Sequence, residues 1–491
     1  MSRRTQTWLL GAAIAMAVLA RLWHLSAVCL DGDEIFSVQA GRLDWRAITA
    51  AAAADSVHPP LFYYLLNVWM QIGGESLTWL RLLPVSLSII AIPPFILLCR
   101  ELRLRSVEII AAVAALAVHP YLIYYAQHVR MYSLLMVFGV ASMWLFAKLP
   151  ADRTRYTLVA LTLVNVALVY SHYYGCLLVA IEFGYALIWV RSRVWQVLLS
   201  SAIVLIALTP WLWIAANAVR AKGGLASNLD WIQRPRLTAF VWFFIDLAGC
   251  AEYPVFGAFL ASAMFVLLVA AVVSGTDGAR LSRPFLTVFT FAPVVLAFSA
   301  SWILPQSVWG HRHLVFVAVP FLALASMLYC RSASRRVMRV CVSVLAAAWA
   351  VQAFVHVAGV DDKKLPWDRF VLEVLAREEA TTSPIPFYSV DPYVHYPVSF
   401  YLDGWKTHSL AGFSMEPPAR LEASLIEVRR AATFDELSGR HFWAAYSPHS
   451  GTPAQPERLF INRGCTAGSR VSAKDRFHEV IAFPVWCGRV E

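Results

Sequence analysis

Leu30-Asp31-Gly32-Asp33-Glu34-Ile35-Phe36-Ser37 opens the stretch that decides the fold, and Val57-His58-Pro59-Pro60-Leu61-Phe62-Tyr63-Tyr64 closes it. Asp31, Asp33 and Glu34 put three carboxylates within four residues, directly after an apolar run at residues 7–26. A segment flanking a membrane helix has no structural need for so much like charge. Crowded carboxylates repel one another, which pushes at least one pKa upward. That is the setting of a general base, and active sites are where such settings concentrate. For the triplet taken alone, a solvated loop is the plain alternative.

The chain around this stretch has 491 residues, of which 59% are apolar and 15% charged, with 19 Trp. Mean hydropathy is +0.60. Such a composition is that of a polytopic membrane protein. The net charge of +10 lies in short clusters between apolar runs rather than along one face, which excludes a nucleic-acid partner. The first run follows Arg3 and Arg4 and lacks a small-residue cleavage site, so it reads as a retained helix. A span takes roughly 20 apolar residues. That rule places eleven spans near 7–26, 79–99, 107–126, 130–148, 156–172, 174–190, 195–217, 255–274, 285–304, 312–330 and 337–358. Segments 59–72 and 238–250 are apolar but short, and read as interfacial helices.

Basic residues collect in cytoplasmic connections. With the N-terminus cytoplasmic, alternate connections carry Arg3/Arg4, Arg100/Arg103/Arg105, Lys148/Arg153/Arg155, Arg191/Arg193, Arg280/Arg283 and Arg331/Arg335/Arg336/Arg339. The other side then holds the acidic loop, His58, the turn at 126–132, Ser171–Tyr174, Gln306–His313 and everything after 358. The domains are therefore a membrane domain over 1–358, with its first large outer loop at 27–78, and an outer domain over 359–491. Asp361-Asp362-Lys363-Lys364 opens that second, polar region, which alternates as a small α/β domain. A helix is predicted at 367–379, strands at 385–390, 440–446 and 478–486, and a further helix near 417–430. Cys465 and Cys487 are its only cysteines, a disulfide candidate in an oxidising compartment. The other six lie in or beside spans and suit packing.

No phosphate-cradling glycine loop and no zinc-type cysteine pair occurs. The polar candidates gather instead at the outer ends of spans: His58, then Tyr124-Tyr125-Ala126-Gln127-His128-Val129-Arg130-Met131-Tyr132, Ser171-His172-Tyr173-Tyr174, and Gly310-His311-Arg312-His313. Carboxylates in one loop, with Arg, His and Tyr from several helix ends, suit a substrate with a hydroxyl to deprotonate and a phosphate to hold.

The ordered series Asp33-Glu34, His58-Pro59-Pro60-Leu61-Phe62-Tyr63-Tyr64, Arg81-Leu82-Leu83-Pro84, Tyr124 to Tyr132 and Ser171-His172-Tyr173-Tyr174-Gly175 resembles the GT-C membrane glycosyltransferases. The nearer relatives are a bacterial branch similar to protein O-mannosyltransferases and to the aminoarabinose and galacturonic acid transferases of lipid A. The resemblance spans about residues 7–330. It implies a polytopic α-helical GT-C protein of the bacterial inner membrane with an outer α/β tail. It also implies an inverting transfer of a hexose or pentose from a polyprenyl phosphate to a hydroxyl of an envelope glycolipid, polysaccharide or protein. Asp33 then matches the base and Glu34 its orienting neighbour. Arg130, His58, Arg312 and His313 become candidates for the donor phosphate, and Tyr63, Tyr132, His128, His172 and Tyr173 for the cavity wall. Relatives carry an acidic residue where His128 stands, so no metal and no other cofactor is expected. A transporter or lipid flippase, which binds near mid-membrane and often shows repeats, is the rival reading, and a non-catalytic membrane scaffold or sensor is another.

Overall fold

A computed structural model describes residues 2–152, 154–221, 232–247, 282–332, 351, 364–377, 387–389, 392–403, 410–412, 441–448, 457–462, 464–475 and 478–488. The chain divides into two units. One comprises Met1–Leu25 and Leu43–Ala358, and the other comprises Ser26–Arg42 and Gly359–Glu491.

The first unit is helical. It contains α1 (Arg3–Leu22), and the second unit takes α2 (Gly32–Gly41). The first unit resumes with α3 (Trp45–Asp55), α4 (Leu61–Gly73), α5 (Leu77–Ile90), α6 (Ile92–Glu101), α7 (Ser106–Val118), α8 (Pro120–Ala126), α9 (Tyr132–Lys148), α10 (Arg155–Ser171) and α11 (Tyr174–Trp189). It ends with α12 (Val194–Ala221), α13 (Leu237–Leu247), α14 (Ser282–Ile303), a 3-10 segment at His311–Val317, and α15 (Ala318–Ser332). Among the described residues, five helical stretches are long and apolar enough to cross a bilayer: Arg3–Leu22, Leu77–Glu101, Arg191–Ala221, Ser282–Ile303 and His311–Arg331. α7 and α8 make a sixth if counted as one span bent by 58°. The bend falls at His119-Pro120, where the residue before proline is pushed out of the helical region. Of the eleven expected spans, 130–148, 156–172 and 174–190 correspond to α9, α10 and α11, with 17, 17 and 16 residues. Those at 255–274 and 337–358 lie outside the described residues.

α1 shows how such helices pack. Trp8, Leu9, Met16 and Leu19 are exposed, whereas Ala13, Ala17 and Arg21 are buried. The two alanines form a narrow seam that lets a neighbouring helix approach. Arg21 donates to Ser88 Oγ (2.9 Å) and to the carbonyls of Ala17 (3.1 Å), Leu116 (3.1 Å) and Ala117 (3.4 Å). The break after α7 leaves its last carbonyls without intrahelical partners, and a cation there also meets the negative end of the helix.

Charged residues at several helix ends pair with one another. Glu108 at the start of α7 is buried between Arg331 (2.8 Å) and Arg105 (3.0 Å), and Lys148 pairs with Asp152 (3.4 Å). These are residues of the expected basic connections and of the chain beside them. Mid-helix, Ser142 of α9, Asn165 of α10 and Glu182 of α11 form a buried cluster. Ser142 Oγ lies 2.5 Å from Asn165 Oδ1 and also against Glu182 Oε1, and Asn165 Nδ2 donates to Glu182 Oε2 (2.8 Å).

The second unit contains α2, α16 (Trp367–Ala376), β1 (Phe387–Ser389), α17 (Pro392–Asp403), β2 (Leu410–Gly412), β3 (His441–Tyr446), α18 (Glu457–Ile461), β4 (Cys465–Ala467), β5 (Val471–Lys474) and β6 (Glu479–Cys487). The strand order is β2-β1-β3-β6-β4, with β5 also on β6. β1 is parallel to β2 and to β3; the pairs made by β6 are antiparallel, with Phe442 opposite Val485 and Ala444 opposite Phe483. Side chains alternate across a strand. Trp443 and Ala445 therefore join Trp367, Phe370, Val371, Val394, Val398 and Cys29 in one core. Phe442, Ala444 and Tyr446 join Phe460, Phe483 and Val485 in the other. Cys465 and Cys487, opposite each other on β4 and β6, are disulfide-bonded. The predicted helix at 367–379 and strands at 385–390, 440–446 and 478–486 match α16, β1, β3 and β6, while 417–430 lies outside the described residues.

Candidate active site

Four corners of the helical unit bring basic side chains together. α3 ends at Ser56 in the left-handed region (φ 59°), and α4 begins after Pro59 and Pro60. His58 is therefore held in a short corner. Arg130 lies between α8 and α9, its N–H donating to the His128 carbonyl (2.7 Å). His172 joins α10 to α11 with extended backbone. His313 follows Gly310, where a Cβ would stand only 2.7 Å from the His313 Nδ1. Gly175 permits the tight α10–α11 turn in the same way, since a Cβ there would lie 2.8 Å from the Leu168 carbonyl oxygen.

The rings meet. Centroids are 5.0 Å apart for His58 and His172, 4.6 Å for His172 and His313, and 5.9 Å for His58 and His313. Arg130 Nη2 donates to His58 Nδ1 (3.2 Å). Exposure is 1% for His58, 2% for His172, 6% for His313 and 3% for Arg130, so these groups have given up bulk water. Buried polar atoms ordinarily keep a partner, yet among the described residues the Nε2 atoms of His172 and His313 have none. Tyr132 stacks toward His313 (6.5 Å) and continues through Tyr125 (4.9 Å) to Tyr121 (4.9 Å), an aromatic wall along the cluster.

One nitrogen or other from each of the three imidazoles comes within 4.8 Å of the others, which is close enough for a divalent cation. Their hydrogen bonds indicate another occupant. Tyr174 N–H donates to His172 Nδ1 (3.1 Å), and an arginine, always a donor, occupies His58 Nδ1. A neutral imidazole whose Nδ1 accepts carries its proton on Nε2. Two of the three rings thus present N–H donors rather than lone pairs. N–H donors beside a guanidinium suit an oxyanion.

The other residues of this unit expected at the site have varied surroundings. Arg312 precedes His313, and the Tyr121 hydroxyl donates to the His311 carbonyl (2.6 Å), fixing that segment. His128 lies in the tyrosine wall, 5.8 Å from Tyr132. Tyr63 is fully buried on α4. Tyr173 turns toward α12, its hydroxyl accepting from Trp211 Nε1 (2.9 Å).

Asp33 and Glu34 belong to the second unit. Asp31 caps α2: its Oδ1 accepts from Glu34 N–H (2.9 Å), and Glu34 Oε2 accepts from Asp31 N–H (3.1 Å). This reciprocal pair is a capping box. Lys364 Nζ lies 2.5 Å from Glu34 Oε2 and 3.1 Å from Asp31 Oδ2. The like charge of the triplet is thereby offset by a cation and by the positive end of the helix. Asp33, half-buried in the first turn, stands outside the capping box.

Sequence reasoning missed three features. Lys364 read only as part of a polar boundary. Asp246, 2.5 Å from His311 Nδ1, and Glu182 were both legible as lone carboxylates inside apolar segments.

No protein-family model matches the sequence, and no curated protein does either. Among solved structures, the chain is similar to ArnT from Cupriavidus metallidurans in the apo state, with a TM-score of 0.61, 14% identity and 97% of each chain covered. ArnT from the same organism bound to undecaprenyl phosphate gives 0.61, 14% and 98% of each chain. An oligosaccharyltransferase from Archaeoglobus fulgidus gives 0.45 and 12%, over 83% of this chain and 64% of that one. The near-complete coverage by ArnT shows the GT-C fold that the ordered motifs implied.

Proposed function

We propose that the chain is an inverting glycosyltransferase that moves a sugar from a polyprenyl-phosphate donor to a hydroxyl of an envelope glycolipid, polysaccharide or protein. One observation carries the reading: the buried corner cluster of His58, Arg130, His172 and His313, whose N–H donors are arranged for an oxyanion. The undecaprenyl phosphate bound by an ArnT structure of the same fold supports a lipid phosphate as that oxyanion.

In this mechanism the Asp33 carboxylate takes the acceptor hydroxyl proton as the acceptor oxygen bonds to the sugar C1. The bond from C1 to the phosphate oxygen breaks with inversion, and polyprenyl phosphate leaves. Glu34 orients the base. Arg130, His58, Arg312 and His313 hold the phosphate and meet the charge that grows on it, the larger share of such catalysis. His172 adds its Nε2–H to these donors at the cavity wall, and His128, Tyr63, Tyr132 and Tyr173 line the rest of the cavity. A lipid-borne donor explains an anion site at the ends of apolar helices. The eleven-span map, with a cytoplasmic N-terminus and the site and C-terminal domain outside the bacterial inner membrane, completes the proposal.

Incubating the purified chain with polyprenyl-phosphate-linked sugars and envelope extract, then following both by mass spectrometry, tests the reading. The expected result is free polyprenyl phosphate and a hexose or pentose mass added to an acceptor. Movement of lipid across a bilayer with no covalent change would instead establish a flippase.

A further inference from the structure

The sequence divides the acidic loop from the C-terminal domain, but Ser26–Arg42 packs as part of the C-terminal unit. α2 is held along its whole length by residues of that unit. Ahead of it, the Tyr401 hydroxyl takes the Leu30 N–H (2.8 Å) and donates to the Leu30 carbonyl (3.1 Å), satisfying both backbone groups of one residue. Cys29 Sγ donates to the Leu365 carbonyl (3.2 Å), and the Cys29 side chain sits in the α16–α17 core. In the first turn, Lys364 joins Glu34 and Asp31. Toward the far end, the Tyr396 hydroxyl donates to Gln39 Oε1 (2.6 Å), and the Arg42 guanidinium lies 5.4 Å from the centre of the Phe400 ring.

Lys364 is central to this arrangement. Glu34 is fully buried, and a buried carboxylate without a cation is strongly unfavourable. Capping box and ion pair share the same Glu34 oxygen, so the cation that neutralises Glu34 also fixes the start of the helix. Asp33 lies between Asp31 and Glu34, so its backbone is pinned on both sides.

We propose that the C-terminal unit is the mount of the proposed base, with Lys364 and Tyr401 as positioning residues that set the direction of Asp33. This inference rests on Asp33 being the base. It gives the C-terminal domain a role in turnover that is separate from donor binding, since the phosphate ligands belong to the other unit.

The test uses the full-length chain with Lys364→Met, Lys364→Arg, Tyr401→Phe and Asp33→Asn. Steady-state turnover of a polyprenyl-phosphate-linked sugar is measured, together with affinity for polyprenyl phosphate. A base misplaced by about 1 Å loses roughly 100-fold in rate. Lys364→Met should therefore lower kcat by about that factor while leaving polyprenyl phosphate affinity and donor KM within roughly twofold, and Lys364→Arg should recover much of the loss. Tyr401→Phe, a milder change that leaves the ion pair in place, should lower kcat in the same selective way. Wild-type kcat in Lys364→Met and Tyr401→Phe, or parallel losses of kcat and donor affinity, would overturn the mount. Should Asp33→Asn turn over normally, the base assignment itself fails, whatever Lys364 does.

Discussion

Replacing His172 distinguishes an imidazole that donates a hydrogen bond from one that ligates a metal. Its Nδ1 is taken by the Tyr174 N–H (3.1 Å), and its buried Nε2 has no partner among the described residues. His172→Gln puts an amide N–H near the place of Nε2–H, whereas His172→Ala removes the donor. Both variants lose the acceptor for Tyr174 at the start of α11, a net cost of about 1 kcal/mol that cancels between them. The remaining difference is one hydrogen bond to an ionised phosphate oxygen, worth about 1.5–3 kcal/mol. At about 1.4 kcal/mol per decade, that is roughly 10- to 150-fold in Kd. The assay is binding of undecaprenyl phosphate to the detergent-purified chain, alongside metal analysis of each preparation. His172→Ala should weaken binding by that factor and His172→Gln by only a few-fold, with metal content unchanged. Equal losses in both variants, with a bound transition metal present in the wild type and missing from each, would refute the donor assignment.

Other consequences follow from particular contacts. Arg130→Ala should cost about 2 kcal/mol of lipid phosphate affinity, roughly 30-fold, and Arg130→Lys should recover little because an ammonium lacks the planar fork; full recovery by Lys in the binding assay would count against it. Ser142, Asn165 and Glu182 close a buried cluster that a neutral side chain at position 182 can complete. Glu182→Gln should then keep the thermal unfolding temperature, whereas Glu182→Ala strands the Asn165 amide at about 1–3 kcal/mol; a marked loss in the Gln variant would show an ionised Glu182. The Cys465–Cys487 bridge closes a loop across a sequence separation of 22 residues. Its loss should cost the C-terminal unit about 3 kcal/mol, read as a lower unfolding temperature under reductant, and an unchanged profile would contradict that.

Much of this was legible in the sequence because apolar runs and histidine-bearing corners are local signals. α1, α12, α14 and the bent pair α7–α8 fall where hydropathy placed them. The corner residues His58, Arg130, His172 and His313 stood out as polar groups at span ends, and packing then brought the three imidazole rings within 6 Å of one another and Arg130 onto His58. Partners from distant sequence were not legible. Lys364 lies 330 residues from Glu34 and carries no mark of its partner in a run of mixed charge. Tyr401 likewise meets Leu30 across 371 residues. The short strands β2, β4 and β5, of three or four residues, are too brief for a period-two pattern to register. Arg21 sits inside the first apolar run, and the Leu116 and Ala117 carbonyls it meets lie 95 and 96 residues away in sequence.

The most direct measurement is single-turnover sugar transfer by the Asp33→Asn variant beside the wild type, with undecaprenyl phosphate affinity determined on the same preparations. A lost general base lowers the rate by about 100- to 10,000-fold, and donor affinity should stay at the wild-type value. Transfer at near-normal rate by a well-folded Asp33→Asn protein would contradict the account.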